Sequence, residues 1–262
     1  MNFNTLHEGD CLQIMAGLPD GCADLTVTSP PYDNLRTYNG SLEWGEHVWK
    51  PIVKELFRVT KQGGVVVWVV NDATINGSET GTSFKQALWA MECGFNLHDT
   101  MIYQKKNFPP LTHNRYEQSF EYMFVFSKRK PVVFNGIEIE SQKVSGGARF
   151  FERDGSLREH HSVCYMKDKK LKPNIWAFPT GQNRNGHPGT FPYQLAEDHI
   201  LSWSNEGDTV LDPFAGSGTT AIAAMNTNRK YILIEKDAAY CDIIRRRIAE
   251  YHSKPKQMAL AI

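Results

Sequence analysis

"DTVLDPFAGSGTTAIAA", residues 208–224, is the stretch whose reading decides the fold. A short apolar run, Val210–Leu211, ends at Asp212. Glycines follow at 216 and 218, and Thr219-Thr220-Ala221 opens a helical stretch. This fits the pattern G-x-G-x-x-G/A at a strand-to-helix turn. Glycine lets the chain turn tightly and approach a ligand with no Cβ in the way. The free N–H groups of a helix start can hold an anionic group. The next apolar run, "YILIE", ends at Glu235, about 20 residues on, where an acid can take the two hydroxyls of a ribose. The segment therefore reads as a nucleoside-binding loop, with a bare structural turn as the plain alternative.

Three ligand classes fit such a loop unequally. A P-loop lacks its Lys-Ser/Thr after the second glycine. A nicotinamide dinucleotide is compatible with the glycines, but a pyrophosphate gains nothing from a carboxylate at Asp212. S-adenosylmethionine fits better. Asp212 can meet the ammonium of its methionine moiety, and Phe214 can cover an apolar part of it.

Outward from this loop, strands and helices alternate. Residues 24–28 read as a buried strand. Residues 45–60 read as a helix with Val48, Ile52, Val53, Leu56 and Val59 on one face. "KQGG" is expected to stop it before the strand "VVVWVV", 65–70. Residues 80–93 carry Phe84, Leu88 and Met91 at helical spacing, and "FNLHDTMIYQK" and "FEYMFVFSK" read as strands. A helix near 192–204, the strand "TVLD", a helix from about 218, "YILIE" and a helix over 237–250 complete the chain. The alternation predicts an α/β fold, a mostly parallel sheet with helices on both faces.

Two features stand apart. "SPPY", Ser29 to Tyr32, ends the strand at 24–28. Proline has no N–H and restricts its predecessor, so a central strand cannot run through it. The tetrapeptide is a strand end and turn, or a stiff wall of a site. The interval 128–172 has several breakers and holds 11 Lys/Arg against 6 Asp/Glu, a net charge of +5 in a chain whose total is zero. A basic insertion suits a polyanion, or is a solvated surface loop.

The totals narrow the classes. The 262 residues suffice for one large α/β domain with an insertion. No apolar run approaches the roughly 20 residues of a membrane span. "MNFNTLHEGD" has no signal-peptide pattern, so a cytoplasmic protein is expected. The five cysteines form no CxxC pair, so reduced thiols and no metal site are expected.

Together the motifs resemble the amino-group DNA methyltransferases, which methylate an exocyclic base nitrogen. The family's catalytic tetrapeptide (D/N/S)-P-P-(Y/F/W) is here Ser29-Pro30-Pro31-Tyr32, and its F-x-G-x-G loop is here Phe214-Ala215-Gly216-Ser217-Gly218. The order is that of the β group: catalytic motif first, recognition region next, cofactor loop late. The resemblance implies a Rossmann-like, permuted fold. Its catalytic half is 1–127, its target-recognition insertion 128–180, its cofactor half 181–250 and its tail 251–262. It implies S-adenosyl-L-methionine held by Asp10, Cys11, Thr190, Phe191, Asp212, Pro213, Phe214, Ala215, Gly216, Gly218, Glu235 and Lys236. It implies double-stranded DNA as substrate, with the target base flipped out of the duplex. Arg36, Tyr38, Lys128, Arg129, Lys130, Arg149 and Arg153 are its expected DNA contacts.

Serine at the first motif position is commoner among enzymes that make N4-methylcytosine, and N6-methyladenine is the alternative. A companion restriction endonuclease is compatible with the family, as is a monomer or a homodimer. An oxidoreductase, a non-catalytic DNA-binding module, and methylation of RNA or a small amine are the rival readings.

Overall fold

The computed structural model describes residues 2–31, 44–107, 115–141, 149–151, 157–159, 168–180 and 191–253. Tyr32, Arg36, Tyr38, Arg153 and Thr190 lie outside these residues. Contacts divide the chain into two units, one of residues 1–135 with 174–262 and one of residues 136–173.

Among the described residues, the larger unit is an eight-stranded sheet with six helices. In chain order it runs β1 (Thr5–Glu8), α1 (Cys11–Ala16), β2 (Ala23–Thr28), α2 (Glu46–Val59), β3 (Thr60–Val70), the hairpin β4 (Thr74–Ile75) and β5 (Ser78–Glu79), α3 (Thr82–Glu92), β6 (Asn96–Lys105) and β7 (Phe120–Ser127). In the smaller unit, β8 (Glu138–Glu140) pairs with β11 (Lys169–Leu171), and β9 (Arg149–Phe151) with β10 (Leu157–Glu159), both antiparallel. The larger unit resumes with β12 (Ile175–Phe178), α4 (Tyr193–Trp203), β13 (Thr209–Asp212), α5 (Thr219–Asn226), β14 (Lys230–Glu235) and α6 (Ala238–Ser253). The sheet order is β1-β14-β13-β2-β3-β7-β6-β12. Every pairing in it is parallel except those of β7 with β3 and β6.

Buried Val, Ile and Leu fill the central strands, as a sheet covered on both faces requires. Helices α1, α2 and α3 pack on one another in sequence, and α4, α5 and α6 do the same. Ile52, Val53, Leu56 and Val59 of α2 are buried as their spacing predicts. The compact unit 136–173 is narrower than the expected insertion 128–180. β12 belongs to the main sheet beside β6, and Val132 N–H donates to Gly63 O of the main sheet.

Two local expectations are corrected. "KQGG" does not end a helix ahead of the strand; it lies inside β3, which starts at Thr60. Gly63 takes φ +78°, and a Cβ on Gly64 would come within 2.8 Å of Asp24 O, so the glycines let β3 bend where its register with β2 shifts. The second correction concerns α3. Its regular apolar stripe faces outward, with Phe84 50%, Leu88 60% and Met91 46% exposed. Buried instead are Ser83, Gln86, Ala87 and Ala90. Small residues let the helix approach closely, and the polar ones have partners: Trp68 Nε1 donates to Gln86 Oε1 at 2.7 Å, and Ser83 is tied to Asp72. Satisfied polar contacts thus override the periodicity.

Leu88→Gln is therefore expected to change unfolding free energy by less than about 0.5 kcal/mol. Ala90→Leu, on the packed face, is expected to cost about 1–3 kcal/mol in urea denaturation. The reverse ranking would contradict this helix orientation.

Candidate active site

The parallel strands bring four chain segments to the carboxyl edge of the sheet. β2 ends at Thr28 and leads into Ser29-Pro30-Pro31. Its neighbour β13 ends at Asp212 and leads into the glycine loop. β14 ends at Glu235, and β1 leads to Gly9 and Asp10. The two sequence motifs, some 180 residues apart in the chain, therefore sit on adjacent strands.

Asp212 joins them directly. Its Oδ1 accepts from Thr28 Oγ1 at 2.7 Å and from Phe214 N–H at 3.1 Å. Its Oδ2 accepts from Thr220 Oγ1 at 2.6 Å, in the first turn of α5. Asp212 is 1% exposed, and burial pushes its carboxyl up to about 6 although all three donors pull it down. Both oxygens accept bonds within the protein, where they hold β2, the loop and α5 together.

The loop is fixed from several sides. Gly216 and Gly218 take φ +53° and +78°, and a Cβ on Gly218 would press on Ile244 at 3.1 Å. Ala215 N–H donates to Ile234 O at 3.0 Å, and Gly218 N–H to Ala215 O at 2.7 Å. Arg247 of α6 donates to the Ser217 carbonyl and, at 3.1 Å, to Ser217 Oγ. Phe214 lies edge-on between two indoles, 5.7 Å from Trp44 and 6.2 Å from Trp68. Pro213 and Ala215 are buried.

Glu235 closes the other side. Its Oε2 accepts from Gly216 N–H at 2.8 Å and its Oε1 from Asp237 N–H at 2.9 Å. Burial raises its pKa, and these backbone donors oppose the shift. Gly9 N–H donates to Glu235 O at 2.8 Å, which brings Asp10 alongside. Asp10 caps α1, its Oδ1 accepting from Leu12 N–H at 3.0 Å and Gln13 N–H at 3.2 Å. Cys11 is buried, and burial with the nearby Asp10 pushes its thiol up to about 12, so it is no thiolate nucleophile. Lys236 is exposed, and Phe191 is half-buried just before α4.

Of the motif, Pro30 and Pro31 are buried and Ser29 is half-buried at the end of β2. Among the expected DNA contacts, Arg129 and Lys130 are exposed, and Arg149 stands opposite Glu159 in the β9–β10 register. Lys128 is engaged within the protein. Its ammonium donates to Phe57 O at 2.7 Å and Thr60 O at 2.9 Å and lies 4.6 Å over the Phe57 ring, so it caps α2. Sequence reasoning missed Thr28, Thr220, Trp44 and Arg247. Only the adjacency of Thr28 to the tetrapeptide was a signal.

A family model described as "DNA methylase", that of the N6 and N4 amino-methyltransferases, matches residues 23–246, and the chain belongs to this family. The orphan methyltransferase M.BamHII of Bacillus amyloliquefaciens is 50% identical over 252 residues, 91% of this chain and 93% of that one. A structure of TTHA0409, a putative DNA modification methylase of Thermus thermophilus complexed with S-adenosyl-L-methionine, superposes with a TM-score of 0.64 at 26% identity. It covers 95% of this chain and 96% of that one. The cytosine-N4-specific PvuII DNA methyltransferase shares the fold, with a TM-score of 0.70 at 18% identity over 99% of this chain and 89% of that one. Among the described residues no helix is long and apolar enough to cross a membrane.

The raised pKa of Asp212 has a stability consequence. The folded state holds this proton more tightly than the unfolded chain, so the group's contribution falls as pH rises from about 4 to about 6. Asp212→Asn removes the titration. Its stability relative to the wild type should rise by about 1–3 kcal/mol across that window in urea unfolding. A pH-independent difference would contradict the assignment.

Proposed function

We propose that this DNA methyltransferase transfers a methyl group from S-adenosylmethionine to N4 of a cytosine turned out of duplex DNA. The observation that carries the reading is the hydrogen-bonded junction between the glycine loop and the strand bearing Ser-Pro-Pro-Tyr.

The residues present fit the cofactor. The loop around Gly216 and Gly218 offers backbone without Cβ atoms. Phe214 offers an aromatic wall, Glu235 an acceptor for ribose hydroxyls and Asp10 an acceptor for an adenine amine. Bound there, S-adenosylmethionine supplies a methyl group on a sulfonium, already a good electrophile. The remaining difficulty is the base, whose amino lone pair is delocalised into the ring. Ser29 Oγ and the Pro30 carbonyl accept hydrogen bonds from the two amino hydrogens and so aim the lone pair. The prolines fix that carbonyl. Tyr32 stacks on the base, and the basic residues of 129–172 meet the phosphates. Transfer is direct, with no covalent enzyme intermediate.

Serine at position 29 favours cytosine, but adenine N6 offers the same two hydrogens and is the second reading. A companion endonuclease is no part of the proposal; the relative M.BamHII is itself named an orphan.

Methylation-aware sequencing of DNA from cells expressing the protein gives the site, and nucleoside mass spectrometry gives the base. N4-methylcytosine is expected, and N6-methyladenine alone would overturn the base assignment. Pro30→Ala is expected to slow methyl transfer about 100-fold or more while cofactor binding in calorimetry stays unchanged.

A further inference from the structure

An amide pair, buried Asn71 and half-buried Gln118, lies at the strand ends beside the tetrapeptide. β2 stops at Thr28, opposite Trp68, while β3 continues to Val70 and delivers Asn71 to the edge where Ser29 begins. The antiparallel β7 starts at that same edge, and Gln118 lies two residues before it. Asn71 is 8% exposed. Its Oδ1 accepts from Asp72 N–H at 3.0 Å and from Gln118 Nε2 at 3.0 Å.

These bonds fix what the pair presents. Asparagine oxygen and nitrogen are interchangeable by a flip only where the surroundings allow it. Here a flip would set the Asn71 amide nitrogen against the Asp72 backbone N–H, a donor that cannot be exchanged. Asp72 N–H cannot move aside, because the Asp72 carboxylate accepts from Ser83 N–H at 2.8 Å, from Ser83 Oγ and from Thr80 Oγ1 at 3.3 Å. With both lone pairs of its oxygen taken, Asn71 has only Nδ2 hydrogens left to offer. Among the described residues no acceptor takes them.

A base seated with its amino group between Ser29 and Pro30 carries a ring nitrogen beside that amine. In cytosine and adenine this nitrogen is an acceptor; in thymine and guanine the corresponding position carries N–H. We propose that Asn71, oriented by Gln118, donates from Nδ2 to this ring nitrogen and so selects bases with an acceptor there. The proposal rests on the amino-group reading above and extends it to a residue outside the tetrapeptide.

The test uses a duplex carrying the protein's own methylation site. Its target cytosine is replaced by 3-deazacytosine, or an adenine target by 1-deazaadenine. For the wild type, loss of the ring acceptor is expected to lower kcat/KM about 10- to 100-fold. Asn71→Asp and Asn71→Ala should lose a similar factor on the natural base and show little further loss on the deaza base, with cofactor affinity unchanged. Gln118→Leu leaves the Asp72 contact in place and should shrink the discrimination between the two bases. It carries the test if the Asn71 variants do not fold. Full discrimination retained in the variants would overturn the role of Asn71 alone. A wild type that moves no methyl to any base amine in DNA would overturn the amino-group reading and this proposal together.

Discussion

One carboxylate organises the site. Asp212 has no Lys or Arg partner in its hydrogen bonds; it is held by two threonine hydroxyls and a backbone N–H. A buried carboxylate is costly unless its lone pairs are taken. The chain meets that cost where β13, the loop after it, α5 and β2 converge. The Ser-Pro-Pro-Tyr run begins one residue after Thr28, so the bond that satisfies Asp212 also sets the height of Ser29 against the loop. Glu235 repeats the device one strand away, its two oxygens each accepting from one backbone N–H, of Gly216 in the loop and of Asp237 just after β14. Loop and strand ends are thus held by bonds within the protein itself, which is what pre-organisation requires.

Much of the fold was legible in the sequence because its central strands are pure in character. "VVVWVV", "TVLD" and "YILIE" are apolar almost throughout, as strands covered on both faces must be. The exceptions have local causes. Gly63 and Gly64 read as a stop, yet they let β3 bend beside β2. The stripe Phe84, Leu88 and Met91 read as a core face, yet α3 turns it outward. Gln86 and Ser83 find buried partners in Trp68 and Asp72, and no periodicity reports such partners. The antiparallel β7 within the sheet was not separable by pattern from its parallel neighbours.

The candidate site was legible as motifs but not as roles. The glycines and the Ser-Pro-Pro-Tyr run marked the two halves, and the resemblance ordered them. That Asp212 faces inward, to Thr28 and Thr220, could not be read from either motif, because the contact to Thr28 spans 184 residues. Lys128 looked like a phosphate ligand by charge. Its position just after β7 brings it to the unpaired carbonyls at the end of α2, and burial lowers its pKa accordingly.

The central claim is that the Thr28–Asp212–Thr220 junction acts as one unit in holding the catalytic strand to the cofactor loop. A double-mutant cycle on single-turnover methyl transfer tests it most directly, with Thr28→Val, Asp212→Asn and the pair. If the junction is a unit, the double variant is little slower than the worse single variant, a coupling of about 1 kcal/mol or more. If the two effects simply add, the residues act independently and the account is contradicted.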